Sequence, residues 1–497
     1  MDKKNNPKFL IGIDIGTTNI KGSLYSADGK LIDYTNVAYN SYTPENNYHE
    51  QNPDDWVNSF MDVLRTLSKN SSVKRNILAI ALSTQGGTVI PVDKDYKPLH
   101  NAITWLDRRG EEILNGNDEL LSKNIDFYNK TGWRLDTEVS FMPLYWLKEK
   151  RSDIFKKIHK VLFVNDYMSK VLTGVNFQDP SNASITLFYN VKKGKWDSKI
   201  LNLIGLGEDN FSEVKNSGEV VGFLNDDICA KLNIEGKVAI VNGAHDQYCS
   251  ALGAGILDEN EILLATGTAW VIFKMLSKPL FDSKRFFAIG RNIIKDKFGL
   301  IYAIPAAGAS LKWFALNIMN LDSEKNLFQL IGEGTDKFNN KKNNILFYPY
   351  LTGNFGPDFN LSKKASFYNL EVGHNYTDLA KAIMEGIGFQ LNRILMVLKE
   401  KNIETKTIKM VGGATKSKIW PSIISDITNS EILIPRDRDC DFATKGAAIL
   451  AGYGIGIYSS LKEGYEKMKT EFNHIKPQID NNNFYKIKFN EFLKCYF

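Results

Sequence analysis

Phe9-Leu10-Ile11-Gly12-Ile13-Asp14-Ile15-Gly16-Thr17-Thr18-Asn19-Ile20-Lys21-Gly22-Ser23-Leu24-Tyr25 is the stretch that decides the fold class. Both flanks are short, apolar and β-branched, which predicts a strand, a tight glycine turn and a second strand. The turn, Gly16-Thr17-Thr18, offers backbone N–H groups and two hydroxyls, donors suited to phosphate oxygens. Asp14 closes the first strand and can hold Mg²⁺ through its water shell, and Lys21 adds a positive charge nearby. An ordinary hairpin with a capped turn would show the same pattern. A P-loop would not, because no Gly-Lys-Ser/Thr opens a helix after the first strand.

Outward from this hairpin, strand-like runs alternate with amphipathic stretches, which predicts an α/β chain. A third strand is expected near Leu31 to Tyr39. A helix follows from Pro53 to Leu67, with Trp56, Phe60, Val63 and Leu64 at helical spacing, and then a buried strand from Ile77 to Leu82. Glu261 to Phe273 repeats the strand–turn–strand pattern with Gly267-Thr268 at its tip, so a duplicated domain is expected, with the boundary near Gly253-Ala254-Gly255. Ala306 to Phe314 reads as a small-residue turn opening a helix, and Tyr376 to Lys401 as a long packed helix. Ile408 to Ser417 reads as a strand running into Gly412-Gly413, followed by a helix over Ile419 to Thr428. Thr444 to Gly452 is a helix dense in small residues. A strand–Gly-Gly–helix unit lets a purine or sugar lie against the backbone. Lys237 to Tyr248 predicts a strand ending at Asn242-Gly243 and a helix whose first turn carries Asp246 and Gln247, where a carboxylate either caps the helix or projects into a site.

Composition sets the limits. At 497 residues two domains are expected. A net charge of +5 from 62 basic and 57 acidic side chains, with no long basic run, does not indicate nucleic acid binding. Cys229, Cys249, Cys440 and Cys495 are too scattered for a disulfide framework or a zinc site and read as thiols of a reducing compartment. The polar start, Met1 to Asn6, lacks the apolar core of a signal peptide, and no run reaches the roughly 18 apolar residues of a membrane span. A soluble, cytoplasmic chain without a membrane partner is therefore expected.

With these motifs in place the sequence resembles the FGGY family of carbohydrate kinases, the group of xylulokinases, gluconokinases and glycerol kinases. The resemblance runs nearly end to end. Besides the two hairpins and the Asp246 block it rests on His49-Glu50-Gln51-Asn52-Pro53-Asp54-Asp55-Trp56, Trp105-Leu106-Asp107-Arg108-Arg109, Thr131-Gly132, Asp166-Tyr167, Leu172-Thr173-Gly174, Tyr348-Pro349-Tyr350-Leu351, Gly412-Gly413-Ala414 and Gly446-Ala447-Ala448. Asn369 stands where the family usually has glycine, and Pro143 where it has lysine. The resemblance implies two actin-like (ribonuclease H-like) domains, 1–254 for sugar and catalytic base and 255–497 for nucleotide, with the active-site cleft between them. It implies Asp246 as the general base, Asp14 as organiser of Mg²⁺, and Thr17, Thr18, Gly267 and Thr268 at the ATP phosphates. Gly308, Lys312, Gly412, Gly413, Ala414 and Ser417 would line the nucleotide pocket. Whether the chain acts alone or as a homodimer stays open.

The sugar loop, Ser83-Thr84-Gln85-Gly86-Gly87-Thr88-Val89, departs from both best-known subfamilies. Glycerol kinases carry Arg-Glu where Gly86-Gly87 stands and an aromatic residue near Glu138; xylulokinases usually have Met-His after the glutamine. Two glycines predict a roomier pocket and a substrate longer than glycerol, or simply a tight turn. Gln85, Asp107 and Gln247 are the expected sugar contacts, with Trp133 and Arg134 at the far end. His49-Glu50-Gln51 with Asp107 favours a xylulose-like ketopentose; gluconate, fuculose, erythritol and glycerol are the alternatives. A sugar sensor without catalysis and an actin-like chaperone ATPase are the rivals of another class; intact Asp14 and Asp246 weigh against the first, and the lack of a long C-terminal module against the second. Gly253 to Gly255 and the region of Gly308 are candidate hinges.

Overall fold

The computed structural model describes residues 7–116, 126–137, 139–333, 335, 338 and 341–494. Met1 to Asn6, Glu138 and Cys495, on which sequence expectations were placed, lie outside the described residues. The chain forms two compact units. The first comprises 1–257, 276–300 and 441–469, and the second 258–275, 301–440 and 470–497. Segments 276–300 and 441–469 therefore belong with the first unit, although they follow the 254/255 boundary read from the sequence.

In the first unit the opening stretch forms the expected hairpin, β1 (Phe9–Ile15) and β2 (Asn19–Ser26), extended by β3 (Leu31–Ala38). With β4 (Ile77–Thr84), β5 (Val220–Phe223) and β6 (Ala239–His245) they make one sheet in the order β5-β6-β4-β1-β2-β3. β1, β4 and β6 are parallel, with Ile15 opposite Thr84 and Thr84 opposite His245. Gly16, Gln85 and Asp246, each one residue further on, therefore leave the sheet side by side. Ligand sites of α/β sheets gather at this carboxyl edge.

The helix Pro53–Leu67 covers β2 as its spacing predicts, burying Trp56, Phe60, Val63, Leu64 and Leu67, with Asn52 capping Asp54 N. The strand before Asp246 differs from expectation. It continues through Asn242-Gly243 to His245 and carries an irregularity in register between Val241 and Ala244. Gly243 tolerates this because a Cβ there would lie 1.7 Å from the carbonyl oxygen of Leu82 on β4.

The small-residue helix, Phe442–Gly454, crosses β1 and the helix Asp246–Gly253 at backbone contact. A Cβ on Gly12 would sit 1.8 Å from Thr444 O, and one on Gly446 1.9 Å from Cys249 O. This crossing locks the strand that carries Asp14 to the helix that carries Asp246. Gly446→Val is therefore expected to destabilise the fold by about 3 kcal/mol or more, since the obstacle is backbone that no rotamer change relieves. Chemical denaturation of the variant checks it, and a loss under about 1 kcal/mol would contradict the crossing.

The second unit repeats the device. β7 (Glu261–Thr266) and β8 (Trp270–Leu276) form a hairpin, β9 (Thr407–Gly412) lies parallel to β7, and β10 (Glu431–Pro435) and β11 (Phe472–Ile475) continue the run. Thr266 faces Gly412 across β7 and β9, as Ile15 faces Thr84 across β1 and β4. The duplication expected from two glycine–threonine tips thus extends to strand direction and register.

Candidate active site

At the carboxyl edge of the first sheet, Asp14 is buried and accepts a 2.6 Å hydrogen bond from Ser83 Oγ. Lys21, opposite it on β2, lies 3.5 Å from its carboxylate and 2.9 Å from that of Asp441. Burial first, and the Asp441 charge second, push the Asp14 carboxyl up to about 7 against the pull of Lys21, with Asp246 adding to the rise and the Ser83 bond opposing it. Burial works against the Lys21 ammonium, but Asp14 and Asp441 hold it above the ordinary lysine range. Among the described residues no group of three or more His, Cys, Asp or Glu side chains could hold a metal ion. A buried carboxylate near two others still fits a cation that takes few protein ligands and keeps most of its water.

Asp246 opens its helix, and its Oδ1 is buried with no hydrogen-bond partner among the described residues. Buried polar atoms are nearly always paired, so an orphan acceptor here needs a reason. Gln85 Oε1, Thr88 Oγ1 and Gln247 Oε1 share this condition. Gln85 is held by its other end, donating 2.7 Å to Gln51 Oε1. Unmet acceptors on two adjoining strand ends suit a polyhydroxyl ligand.

Two positions read from the sequence, one as a sugar contact and one as open space, have neighbours the sequence did not show. The first is Asp107 as a sugar contact. Its carboxylate is buried and already accepts from His49 N (2.6 Å), Arg109 N (2.8 Å), Arg109 Nε (2.9 Å) and Arg109 Nη2 (2.9 Å), which fills its roughly four lone-pair sites. It holds Arg109 in place, and Arg109 also binds Glu50 at 2.7 Å and lies 4.2 Å from the Tyr48 ring centre. The second is the open space over Gly86-Gly87. The His245 ring fills it, since a Cβ on Gly86 would come within 2.6 Å of His245 Cδ2. Gly87 has φ +75°, so it is the tight turn the sequence allowed.

At the first hairpin tip Thr17 is half-buried and Thr18 exposed. Trp105 Nε1 donates 3.1 Å to Thr17 Oγ1, and Gln51 Nε2 donates to Thr17 O. Neither the Trp105 contact nor Asp441 beside Lys21 was expected from the sequence.

In the second unit a cavity of about 680 Å³ is lined by Gly267, Thr268, Gly308, Lys312, Gly413 and Ala414, six of the residues expected to hold nucleotide. Gly308 allows its helix to touch the hairpin tip, because a Cβ there would lie 2.2 Å from Gly267 O. Of the six residues expected to line the nucleotide pocket, two are not in the lining. Gly412 packs against Thr266 with φ +91°, and Ser417 is buried, donating to Glu333 and accepting from Trp420 N (2.9 Å). Sequence reading missed Lys325, Phe328, Gln329, Glu333, Lys416 and Lys418, which complete a lining with four lysines and one carboxylate. The volume falls within the ordinary range for small-molecule sites.

The N-terminal domain of the FGGY family of carbohydrate kinases matches residues 9–253, and its C-terminal domain matches residues 263–455. The chain belongs to the FGGY family of carbohydrate kinases. This FGGY kinase is 30% identical over 493 residues to a xylulose kinase of Bacillus subtilis (strain 168), covering 98% of this chain and 97% of that protein. It is 28% identical to a gluconokinase of the same organism, covering 94% and 91%. It superimposes on the crystal structure of a gluconate kinase from Lactobacillus acidophilus with a TM-score of 0.88 at 23% identity, covering 98% and 97% of the two chains, which shows a shared fold. The FGGY chain is accordingly an ATP-dependent sugar kinase with two α/β domains. Among its described residues no helix is long and apolar enough to cross a membrane.

Proposed function

We propose that the kinase phosphorylates a xylulose-like ketopentose, with Asp246 as general base and Mg²⁺ as the metal, in the cytoplasm. The observation that carries the base assignment is the buried Oδ1 of Asp246, which has His245 Nε2 at 3.3 Å but no hydrogen bond among the described residues, beside the unmet acceptors of Gln85 and Gln247. Phosphoryl transfer asks for alignment and charge stabilisation more than for covalent help. Gln85 and Gln247 orient the sugar, and Asp246 accepts the proton of the attacking hydroxyl. Asp14, with Lys21 and Asp441 around it, is the residue that would hold Mg²⁺, whose charge offsets that of the phosphate oxygens when bound. Thr17 and Thr18 are phosphate-binding residues of the first unit. In the second unit, Gly267, Thr268, Gly308, Lys312, Gly413 and Ala414 hold the nucleotide.

The ketopentose reading is supported by two relatives named xylulose kinase, at 30% and 25% identity over 98% of this chain. Gluconate is the second reading, supported by the gluconokinase relative. ADP release with Mg·ATP, measured against xylulose, ribulose, fuculose, gluconate, erythritol and glycerol, tests both. Xylulose is expected to exceed glycerol by roughly 10²-fold or more in kcat/KM. Silence with every sugar while one of them still binds would instead indicate the sensor.

A further inference from the structure

The FGGY kinase carries an imidazole beside Asp246 that the reaction proposed above does not use. His245 is the last residue of β6 and directly precedes Asp246. It stands at the N-cap of the following helix, yet its side chain makes no capping hydrogen bond. Its backbone is fixed instead, with His245 N donating 2.9 Å to Ser181 Oγ, and the ring meets Tyr248 edge-on at 5.9 Å. The ring lies over Gly86, where a Cβ would come 2.6 Å from Cδ2 and 2.8 Å from Nε2. Nε2 also stands 3.3 Å from Asp246 Oδ1, without the alignment of a hydrogen bond.

The neighbouring atoms have a gap in their chemistry. Of the four orphan atoms of the candidate site, Gln85 Oε1, Gln247 Oε1 and the Asp246 carboxylate Oδ1 only accept, and Thr88 Oγ1 alone can also donate. A sugar hydroxyl both donates and accepts, so a wall dominated by acceptors leaves most hydroxyl oxygens without a donor. An imidazole Nε2–H beside Asp246 supplies a donor for a hydroxyl oxygen next to the one that attacks.

We propose that His245 is a specificity-determining residue of the sugar pocket, recognising one hydroxyl adjacent to the transferred position, and that glycine at 86 is the condition for its ring to be there. The proposal rests on the reading of Asp246 as base, since it places the recognised hydroxyl beside that residue.

The experiment pairs His245→Ala, His245→Asn and Gly86→Ala with a series of monodeoxy analogues of D-xylulose and D-gluconate. kcat/KM is measured for each pair, and binding of the same sugars is followed by tryptophan fluorescence so that a slow variant still gives ratios. In the unaltered kinase each missing recognised hydroxyl is expected to lower kcat/KM by about 10²-fold or more. In His245→Ala that penalty is expected to fall to about 10-fold or less at one hydroxyl and to persist at the others, the signature of a lost pairwise contact. Gly86→Ala is expected to give the same single-position change by displacing the ring, and it carries the test with His245→Asn if thermal melting shows His245→Ala to be unfolded. An equal fall for every sugar and analogue overturns the proposal, because a residue that only supports the fold has no preferred hydroxyl. An unchanged analogue profile overturns it equally. Asp246→Asn, measured alongside, reports on the base: its full turnover would sink that assignment, whereas the analogue profile of the His245 variants judges His245 by itself.

Discussion

Asp246→Asn is expected to leave the fold and sugar binding of the FGGY kinase intact and to lower kcat by roughly 10²- to 10⁴-fold. Asparagine matches aspartate in volume, and Oδ1 has no hydrogen bond among the described residues for the substitution to break. The helix it opens is held elsewhere, through the backbone crossing of Gly253 beneath Phe442 and of Gly446 against Cys249. What the amide lacks is the ability to take a proton from the attacking hydroxyl. Without it the alkoxide must form unaided, while the alignment of sugar and phosphate persists. Turnover should therefore fall without a matching rise in the sugar dissociation constant. ADP release gives the first quantity and tryptophan fluorescence titration the second. Turnover within about threefold of the unaltered kinase would remove Asp246 from the role of base.

Local features of this site were legible in the sequence because local rules govern them. The hairpin around Asp14, the helix from Pro53 and the repeat around Gly267 follow from apolar alternation, spacing and glycine, and each appears where expected. Strand register then brings Asp14, Gln85 and Asp246 to one edge. What the sequence could not convey is which distant side chains share a space. Ser23 and Thr444 hydrogen-bond at 2.7 Å although 421 residues apart, and the same helix crossing brings Asp441 to Lys21. Asp107 looked like a sugar ligand because it is polar in a polar motif, yet its lone pairs belong to Arg109 and His49. Gly86 looked like empty volume because a sequence records the missing side chain and not the His245 ring above it. In both cases the residue type was read correctly and its neighbour was not visible.

Glu385→Ala carries the largest expected stability effect, about 3–5 kcal/mol in the second unit. Glu385 lies in the long helix Tyr376–Glu400 and is 1% exposed. One carboxylate oxygen takes Lys488 Nζ at 2.5 Å, and the other accepts from Tyr485 OH at 3.0 Å. Lys488, itself 2% exposed, has a second acceptor in Asn343 Oδ1 at 3.2 Å. Lys381, one turn earlier on the Glu385 helix, has its ammonium drawn down by burial and by the Lys488 charge and drawn up by Glu385. Alanine at 385 would thus leave the buried Lys488 ammonium without its carboxylate and remove a charge that holds the Lys381 ammonium up. Burial of the pair does not itself imply net stabilisation, because desolvating two charges offsets much of their attraction. The double variant Glu385→Met with Lys488→Met should accordingly lose far less than Glu385→Ala, within about 2 kcal/mol of the unaltered chain. Urea denaturation of single and double variants separates the two cases. If both lose the same amount, the cost lies in packing volume and not in an orphaned charge.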